Sequence, residues 1–359
     1  MTADSTTTDS ELLVALQRGL PLVERPFARL GEDMGLTEEQ VLDRVRDALE
    51  SGHARRLGAV FDIRRLGYVS TLCAAALDED SLEQVVPKLQ PHPGITHCYL
   101  RTPDPDLSPE PQHGPGGLVL PNLWFTLCAQ GRHFDDELSK VREAVAPHTL
   151  LNLPAVKRFK IHVVFDPEQR DKGEQVPGSA APAPGTEEQT EALPELSEEE
   201  KELVRAMQGH IEPVPRLYAH AAEETNYTAD ELLDLLRLWE GSGVLRRVAL
   251  IVRHRKLGFR ANGMCVWPVA EDEVTDKGRR LAQRPEITHC YQRVAPPEFP
   301  YSLYAMIHTD EWAKTRALFR ALSDGCGLSD GLVFCSIREY KKTSHRLFIE
   351  AQTSEDRDG

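Results

Sequence analysis

Two copies of one α+β unit, arranged in tandem, are predicted by this sequence of 359 residues. The pentapeptide Ile95–Tyr99 (Ile-Thr-His-Cys-Tyr) recurs as Ile287–Tyr291, 192 positions later. The pairs Arg55-Arg56 and Arg246-Arg247 lie 191 positions apart, and each is followed at the same distance by a basic-Leu-Gly-aromatic segment. Because these features keep their order and spacing, they indicate an internal duplication.

Each copy is predicted to begin with three short helices. Apolar residues recur at helical spacing in the first two helices of each copy. The third helix of each copy begins after a threonine that is followed by acidic residues, at Thr37 and Thr228, which is typical of a helix N-terminus. The first two helices are predicted at Glu11–Arg18 and Pro26–Met34 in copy one and at Glu198–Gln208 and Pro215–Glu224 in copy two.

The remainder of each copy alternates between strand-like and helical patterns. Runs rich in β-branched and aromatic residues predict strands, and both repeated pentapeptides are predicted to be extended. After the three helices the order is β-α-β-β-α-β, which predicts a winged helix-turn-helix joined to a ferredoxin-like domain. Other predicted strands are Ala59–Ile63, Ser70–Leu77, Trp124–Ala129, Val248–Val252, Gly263–Val269 and Tyr304–Ile307, and the predicted helices are Ser81–Leu89, Phe134–Val145, Asp272–Ala282 and Glu311–Leu322.

A change in composition separates the two copies. The segment from about Asp166 to Leu196 is rich in Pro, Ala and acidic residues and has no apolar period, which is typical of a flexible linker. We predict copy one at 1–166, with a helix-turn-helix at about 10–58 and a ferredoxin-like domain at about 59–166. A linker at 167–196, copy two at 197–350 with its domains at about 197–247 and 248–350, and a polar tail at 351–359 complete the predicted organisation.

Composition indicates an ordinary soluble protein with packed cores. Hydrophobic residues make up 40% of the chain, and no apolar run approaches the roughly 18 residues that a membrane span requires. A cytoplasmic location without membrane association is therefore expected. The seven cysteines include no CxxC pair, which favours reduced thiols over a zinc site or a disulfide framework.

The charge of the chain is unevenly distributed. The net charge is -15, yet Val244–Asn262 contains six Arg or Lys and no acid, and His53–Tyr68 contains four Arg and one Asp. Such concentrated positive charge on an acidic protein favours a discrete anionic ligand, although solvated strand faces would give the same pattern.

Several segments resemble known families. Leu30–Leu36, with Arg55–Val60, resembles the Lrp/AsnC transcriptional regulators, and the chain as a whole is closer to the siroheme decarboxylases of that superfamily. The segments that carry the second resemblance are Arg25–Phe27, Arg246-Arg247, Arg253–Asn262, His289–Tyr291 and Pro300–Tyr304. That family forms its active unit from two homologous subunits or one fused chain. The resemblance therefore implies an intramolecular pseudo-dimer, and it leaves open whether fused chains associate into a further homo-oligomer.

DNA binding is not expected. A recognition helix brings Arg, Lys, Asn or Gln to base edges and needs positive charge nearby. Leu36–Glu50 instead contains five acids and two Arg, and Asn226–Glu240 contains four acids and one Arg. Both predicted recognition helices would repel a phosphate backbone, so we interpret the helix-turn-helix as a structural element.

The resemblance implies siroheme decarboxylase activity, a carbon–carbon lyase reaction. In that reaction the acetate side chains at C12 and C18 lose CO2 and give 12,18-didecarboxysiroheme, for haem d1 or alternative haem biosynthesis. No external cofactor is implied, because the macrocycle can hold the electrons and siroheme iron enters with the substrate. The alternatives are a ligand-sensing transcriptional regulator of the Lrp/AsnC type and a non-catalytic carrier in the same pathway.

Candidate site residues follow from the demands of an anionic tetrapyrrole. His97 and His289, assisted by Tyr99 and Tyr291, are the candidate proton donors, because His and Tyr alternate on one face of an extended segment. Either histidine could instead ligate siroheme iron or be a hydrogen-bonded residue at a strand end, and no metal site of the protein itself is predicted. The candidate carboxylate-binding residues, mostly Arg, are Arg55, Arg56, Arg246, Arg247, Arg253, His254, Arg255, Lys256 and Asn262. Because its basic run is longer, copy two is expected to supply more of this binding.

Overall fold

The structure, a computed structural model, describes residues 3–107, 113–114, 118–161, 164–165, 195–253 and 256–349. The predicted linker, apart from residues 195–196, and the predicted tail lie outside the described residues. Copy one contains α1 (Ala3–Arg18), α2 (Pro26–Met34), α3 (Glu38–Glu50), β1 (Ala54–Phe61), β2 (Tyr68–Ala75), α4 (Glu79–Leu89), β3 (Ile95–Pro103), β4 (His113–Gly114), β5 (Leu118–Val119), β6 (Leu123–Gln130), α5 (Phe134–Val145) and β7 (Leu151–Ile161).

Copy two repeats this order without the short β4–β5 hairpin. Its elements are α6 (Glu198–Gln208), α7 (Leu217–Ala222), α8 (Ala229–Gly241), β8 (Leu245–Val252), β9 (Ala261–Trp267), α9 (Val274–Ala282), β10 (Ile287–Arg293), β11 (Leu303–Thr309), α10 (Trp312–Cys326) and β12 (Leu332–Lys342). The predicted α+β duplication, with a helix-turn-helix and a ferredoxin-like domain in each copy, is confirmed.

The helix-turn-helix units have the predicted caps. Thr37 and Thr228 each accept a hydrogen bond from the backbone N–H three residues later, and Gln40 or Glu231 completes a reciprocal capping box. The first helix begins at Ala3, eight residues before the predicted start, because its polar first half has no apolar period to reveal it. Together the helices pack one continuous apolar core shared by both copies.

The wing strands β1 and β8 pair with each other rather than with the larger sheet. They form a two-stranded antiparallel sheet in which Leu57 lies opposite Leu250 and Ala59 opposite Val248. Both strands begin earlier than predicted, so that Arg55-Arg56 and Arg246-Arg247 lie within them. The strand prediction was wrong there because a charged pair interrupts the apolar pattern of a strand.

The other eight long strands close into one continuous sheet made by both copies. The strand order is β10-β11-β9-β12-β3-β6-β2-β7, and β7 pairs with β10 to complete the ring. Copy one supplies β3-β6-β2-β7 and copy two supplies β10-β11-β9-β12, so the copies are joined at β12–β3 and at β7–β10. As a result, the two pentapeptide strands, β3 and β10, lie on opposite sides of the closed sheet.

Alternate residues of β3 and β10 face different environments. Cys98 and Cys290 point outward into the apolar layers under the helices, and all seven cysteines are buried free thiols. The inward face of the sheet is packed with apolar and aromatic residues that include Trp124, Tyr304 and Phe334. No helix in the described part of the chain is long and apolar enough to cross a membrane.

Candidate functional site

A row of three side chains on β3 faces the interior of the closed sheet. His97, Tyr99 and Arg101 alternate with outward-facing residues, as the two-residue period of a strand requires. The rings of His97 and Tyr99 are 6.3 Å apart between centroids, and the Arg101 guanidinium lies 4.9 Å from the centre of the Tyr99 ring. Arg101 is 6% exposed, so this stacked cation is held inside the protein.

The same row is repeated on β10. His289 and Tyr291 are also 6.3 Å apart between ring centroids, and the Arg293 guanidinium lies 4.9 Å from the centre of the Tyr291 ring. Arg293 also donates a hydrogen bond to the Leu153 carbonyl at 2.8 Å. Each copy therefore contributes one His-Tyr-Arg row, and the two rows face each other across the interior of the closed sheet.

Each histidine ring is oriented by the threonine that precedes it. His97 Nδ1 lies 2.9 Å from Thr96 Oγ1, and His289 Nδ1 lies 3.0 Å from Thr288 Oγ1. Among the described residues, Thr96 is the one hydrogen-bond partner of the His97 ring, so the His97 Nε2 atom has no partner among them. A fixed Nδ1 with an available Nε2 suits a proton donor, a proton acceptor or an iron ligand.

The His97 imidazole is neutral at physiological pH. Burial first, and then the nearby basic groups, lower its pKa from 6.5 to about 3; these groups are His345, Lys342, Arg55 and His289. Removing the ring from water disfavours the charged form, and positive neighbours add repulsion. A neutral ring has one nitrogen with a free lone pair, which can ligate iron or accept a proton from a neighbour. The ring becomes a strong proton donor only after it has accepted that proton.

The pocket around His97 and Tyr99 combines residues of both copies. Arg55 from β1 acts electrostatically on Tyr99, and Arg253, just after β8, acts on Arg55. Burial first, and then the charge of Arg253, lower the pKa of the Arg55 guanidinium. Lys342, at the end of β12, lies opposite His97 in the strand pairing. We refer to this group as the first pocket.

The pocket around His289 and Tyr291 is assembled in the same crossed way, and we refer to it as the second pocket. Arg246 from β8 and Arg158 from β7 lie near Tyr291, and burial raises the pKa of the Tyr291 phenol. Asp62, just after β1, accepts a hydrogen bond from Arg246 at 2.8 Å and from Arg64 at 3.0 Å. Arg158 lies 3.7 Å from the same carboxylate oxygen.

Several candidate residues lie away from both rows. Arg56 donates to the Gly209 and Ala59 carbonyls, so it bridges the wing sheet to the helical core. Arg247 packs against Gly19 after α1, and Lys256 is exposed and donates to the Ser51 carbonyl at 2.9 Å. Asn262 faces the interior from β9, opposite His308 of β11. His254 and Arg255 lie outside the described residues.

Other residues of the pockets were not predicted from the sequence. Arg101 and Arg293 extend the repeated pentapeptide at the same two-residue period, so a longer comparison of the copies would have found them. Asp62, Arg64, Arg158 and Lys342 carry no such signal. They join the site because strands of one copy pair with strands of the other.

The side chains around each row are suited to binding an anion. Each pocket presents guanidinium groups around a His-Tyr pair, and guanidinium groups bind carboxylates through paired hydrogen bonds. No group of three or more His, Cys, Asp or Glu within the described ranges could hold a metal ion. The imidazole and phenol groups are the residues that could exchange protons with a bound anion.

Family models match both parts of copy one and the sheet domain of copy two. An AsnC-like ligand binding domain matches residues 65–160 and 256–341, and a siroheme decarboxylase NirDL-like HTH domain matches residues 9–55. These matches agree with the wing and sheet organisation of the structure.

Full-length relatives match the fused organisation. A siroheme decarboxylase of Hydrogenobacter thermophilus is 32% identical over 95% of this chain and 95% of its own length. The siroheme decarboxylase alpha subunit of Desulfovibrio desulfuricans is 40% identical over 45% of this chain and 85% of its own length, so it matches about one copy.

A solved structure matches the whole chain. The crystal structure of the siroheme decarboxylase NirDL in co-complex with an iron-uroporphyrin III analogue is 28% identical and superposes with a TM-score of 0.68. The match covers 97% of this chain and 98% of that one. From the paired rows, the fused pseudo-dimer and these matches, we conclude that this chain belongs to the siroheme decarboxylase family.

Proposed function

We propose that this protein is a carboxy-lyase that removes CO2 from the C12 and C18 acetates of siroheme. The product would be 12,18-didecarboxysiroheme, an intermediate for haem d1 or alternative haem biosynthesis. The observation that carries the proposal is the pair of facing His-Tyr-Arg rows, each bordered by guanidinium groups from both copies. The NirDL structure with an iron-uroporphyrin III analogue supports a tetrapyrrole as the ligand class.

The arginines serve best as anchors for carboxylates that do not react. Pairing the reacting acetate tightly with Arg would stabilise the ground state and slow the loss of CO2. Arg55 and Arg253, at the edge of the first pocket, suit this anchoring role. Tyr99 and His97 lie deeper in the same pocket, where a less hydrated acetate would react.

The chemical step needs one proton for each CO2 released. The bond between the acetate CH2 and its carboxyl carbon breaks, CO2 leaves, and the electron pair remains on the methylene carbon conjugated with the macrocycle. A proton then converts this carbon to a methyl group. Tyrosine is ordinarily protonated at neutral pH, so the phenol of the His-Tyr pair is the donor. The resulting phenolate regains its proton through the imidazole, which gives one proton to the phenolate and takes another from solvent. No cofactor beyond the substrate's own iron is proposed.

Anaerobic incubation with siroheme, followed by mass spectrometry, tests the proposal. The expected result is loss of two CO2 from the pigment, with singly decarboxylated siroheme as a transient species. Unchanged siroheme that remains bound would overturn the enzymatic proposal and indicate a carrier. Sequence-specific retention of DNA at physiological salt would instead support a regulator, against which the acidic faces of α3 and α8 argue.

A further inference from the structure

The two pockets differ at one pair of equivalent positions. Asp62 and Arg253 occupy the same place in the two copies, 191 positions apart, just after wing strands β1 and β8. Asp62 pairs with Arg246 and Arg158 beside Tyr291 in the second pocket, and Arg253 acts electrostatically on Arg55 at the edge of the first pocket. One pocket therefore receives a carboxylate where the other receives a guanidinium.

Asp62 is a buried carboxylate that binds the guanidinium groups of the second pocket. Its side chain is 8% exposed and is bound by two guanidinium groups, with Arg246 Nη2 at 2.8 Å and Arg64 Nη2 at 3.0 Å from Oδ2. Arg64 Nε also donates to Oδ1 at 3.2 Å, which makes that pair bidentate. The second pocket's guanidinium groups are thus engaged by the protein's own carboxylate.

In the first pocket the guanidinium groups have no such partner among the residues that the structure describes. Within the described part of the chain, neither Arg55 nor Arg253 forms a salt bridge with a carboxylate. Glu339 acts on Arg55 electrostatically, but its side chain belongs to an exposed stretch of β12. Two like charges near each other that form no salt bridge are stabilised when an anion enters between them.

We infer that the first pocket is the working site, and that Asp62 closes the second pocket by standing in for a carboxylate of the substrate. This inference rests on the proposed function for the identity of the ligand. It assigns Arg55 and Arg253 to carboxylate binding, and it assigns His97 and Tyr99, rather than His289 and Tyr291, to the chemical step. The fused pseudo-dimer is then a one-site enzyme in which the second row has a structural role.

Titration with iron(III) uroporphyrin III, followed by its absorbance, tests the inference without turnover. Wild-type protein is expected to bind one equivalent per chain. Arg253→Asp places a carboxylate in the first pocket and is expected to weaken this binding by at least about 30-fold. Asp62→Ala releases the guanidinium groups of the second pocket and is expected to add a second equivalent. Asp43→Ala removes an exposed acid from α3 and serves as the matched control.

Two results would overturn the inference: binding of two equal equivalents by the wild type, or unchanged affinity in Arg253→Asp. Thermal unfolding of each variant identifies a loss of fold, and Asp62→Asn, which keeps the shape of the side chain, replaces Asp62→Ala if that variant does not fold. The Arg253→Asp result decides the matter in either case. Failure of the proposed function would appear differently, as normal binding stoichiometry with no CO2 released from siroheme.

Discussion

His345, in the C-terminal segment of copy two, lies next to His97 of copy one and contributes to the lowered pKa of its imidazole. The segment that carries His345 is fixed at both ends. The Thr343 amide donates to the Thr96 carbonyl at 2.8 Å, and the Phe348 amide donates to the Tyr68 hydroxyl at 2.6 Å. His345 also lines a small cleft with Tyr68 and Cys128. Copy two thus supplies a second imidazole at the edge of the first pocket, and hydrogen bonds to copy one hold it there.

Replacing His345 is expected to slow decarboxylation without unfolding the protein. His345→Ala removes a neutral imidazole that can relay a proton toward His97, and loss of one positioned acid–base group costs about 100-fold or more when its role is direct. For a relay we expect a decrease in kcat of roughly 10-fold, with KM nearly unchanged. Steady-state rates measure both, with the exposed His133→Ala as control. A change in KM alone would contradict the relay role.

The two repeated histidines are expected to respond unequally to the same substitution. His97→Gln removes the ring of the first pocket and should reduce the decarboxylation rate by at least about 100-fold. His289→Gln should reduce it by less than about fivefold, because Asp62 engages the arginines of the second pocket. Single-turnover rates with siroheme separate these outcomes from effects on product release. Equal losses in both variants would show that both pockets react.

The sequence identified the two rows but not the composition of the pockets. The repeated pentapeptide marked β3 and β10, and the period of a strand placed His97 with Tyr99 on one face. The same period predicts that the two members of each Arg pair point to opposite sides of their strand, so that only one of them can reach a pocket. Arg55 and Arg246 reach the pockets, whereas Arg56 and Arg247 face the helices.

The pairing of strands between copies could not be read from spacing. Arg253 belongs to the basic run of copy two, yet it acts on Arg55 of copy one at the edge of the first pocket. Arg158 reaches Tyr291 because β7 pairs with β10 of the other copy. Such contacts depend on closure of the whole eight-stranded sheet, and local periodicity carries no information about it.

The protein is expected to lose stability as the pH falls below about 6.5, and His97 should account for part of this loss. Its pKa is about 3 in the folded state and 6.5 in its ordinary state, so the unfolded chain binds more protons between these values. Unfolding free energy therefore rises with pH across this window, by up to about 1.4 kcal/mol per pH unit for one group. Chemical denaturation at several pH values should show a shallower slope for His97→Gln. An identical slope would mean that the ring is solvated.

Arg55 is expected to bind a carboxylate through its fork of N–H donors rather than through charge alone. Arg55→Lys keeps the charge but removes the paired hydrogen bonds, so the affinity for iron(III) uroporphyrin III should fall roughly 10-fold. Arg29→Lys, on the exposed face of α2, should leave the affinity unchanged. Equal affinities for Arg55→Lys and wild type would indicate that Arg55 contributes only long-range attraction.

Phe348 is expected to stabilise the fold as well as hold His345 in place. Its side chain is 6% exposed and meets the Tyr68 ring edge to face, with 5.5 Å between ring centroids. It belongs to the apolar core shared by the helix-turn-helix units, so Phe348→Ala should lower the unfolding free energy by about 3 kcal/mol. Chemical denaturation measures this change in unfolding free energy, with the exposed Ile337→Ala as a control that should change it by less than about 0.5 kcal/mol.

Because the loosened segment also carries His345, the decarboxylation rate of Phe348→Ala should fall under conditions where the protein remains folded. Full activity in a destabilised Phe348→Ala would separate the structural role of this segment from any role in the first pocket.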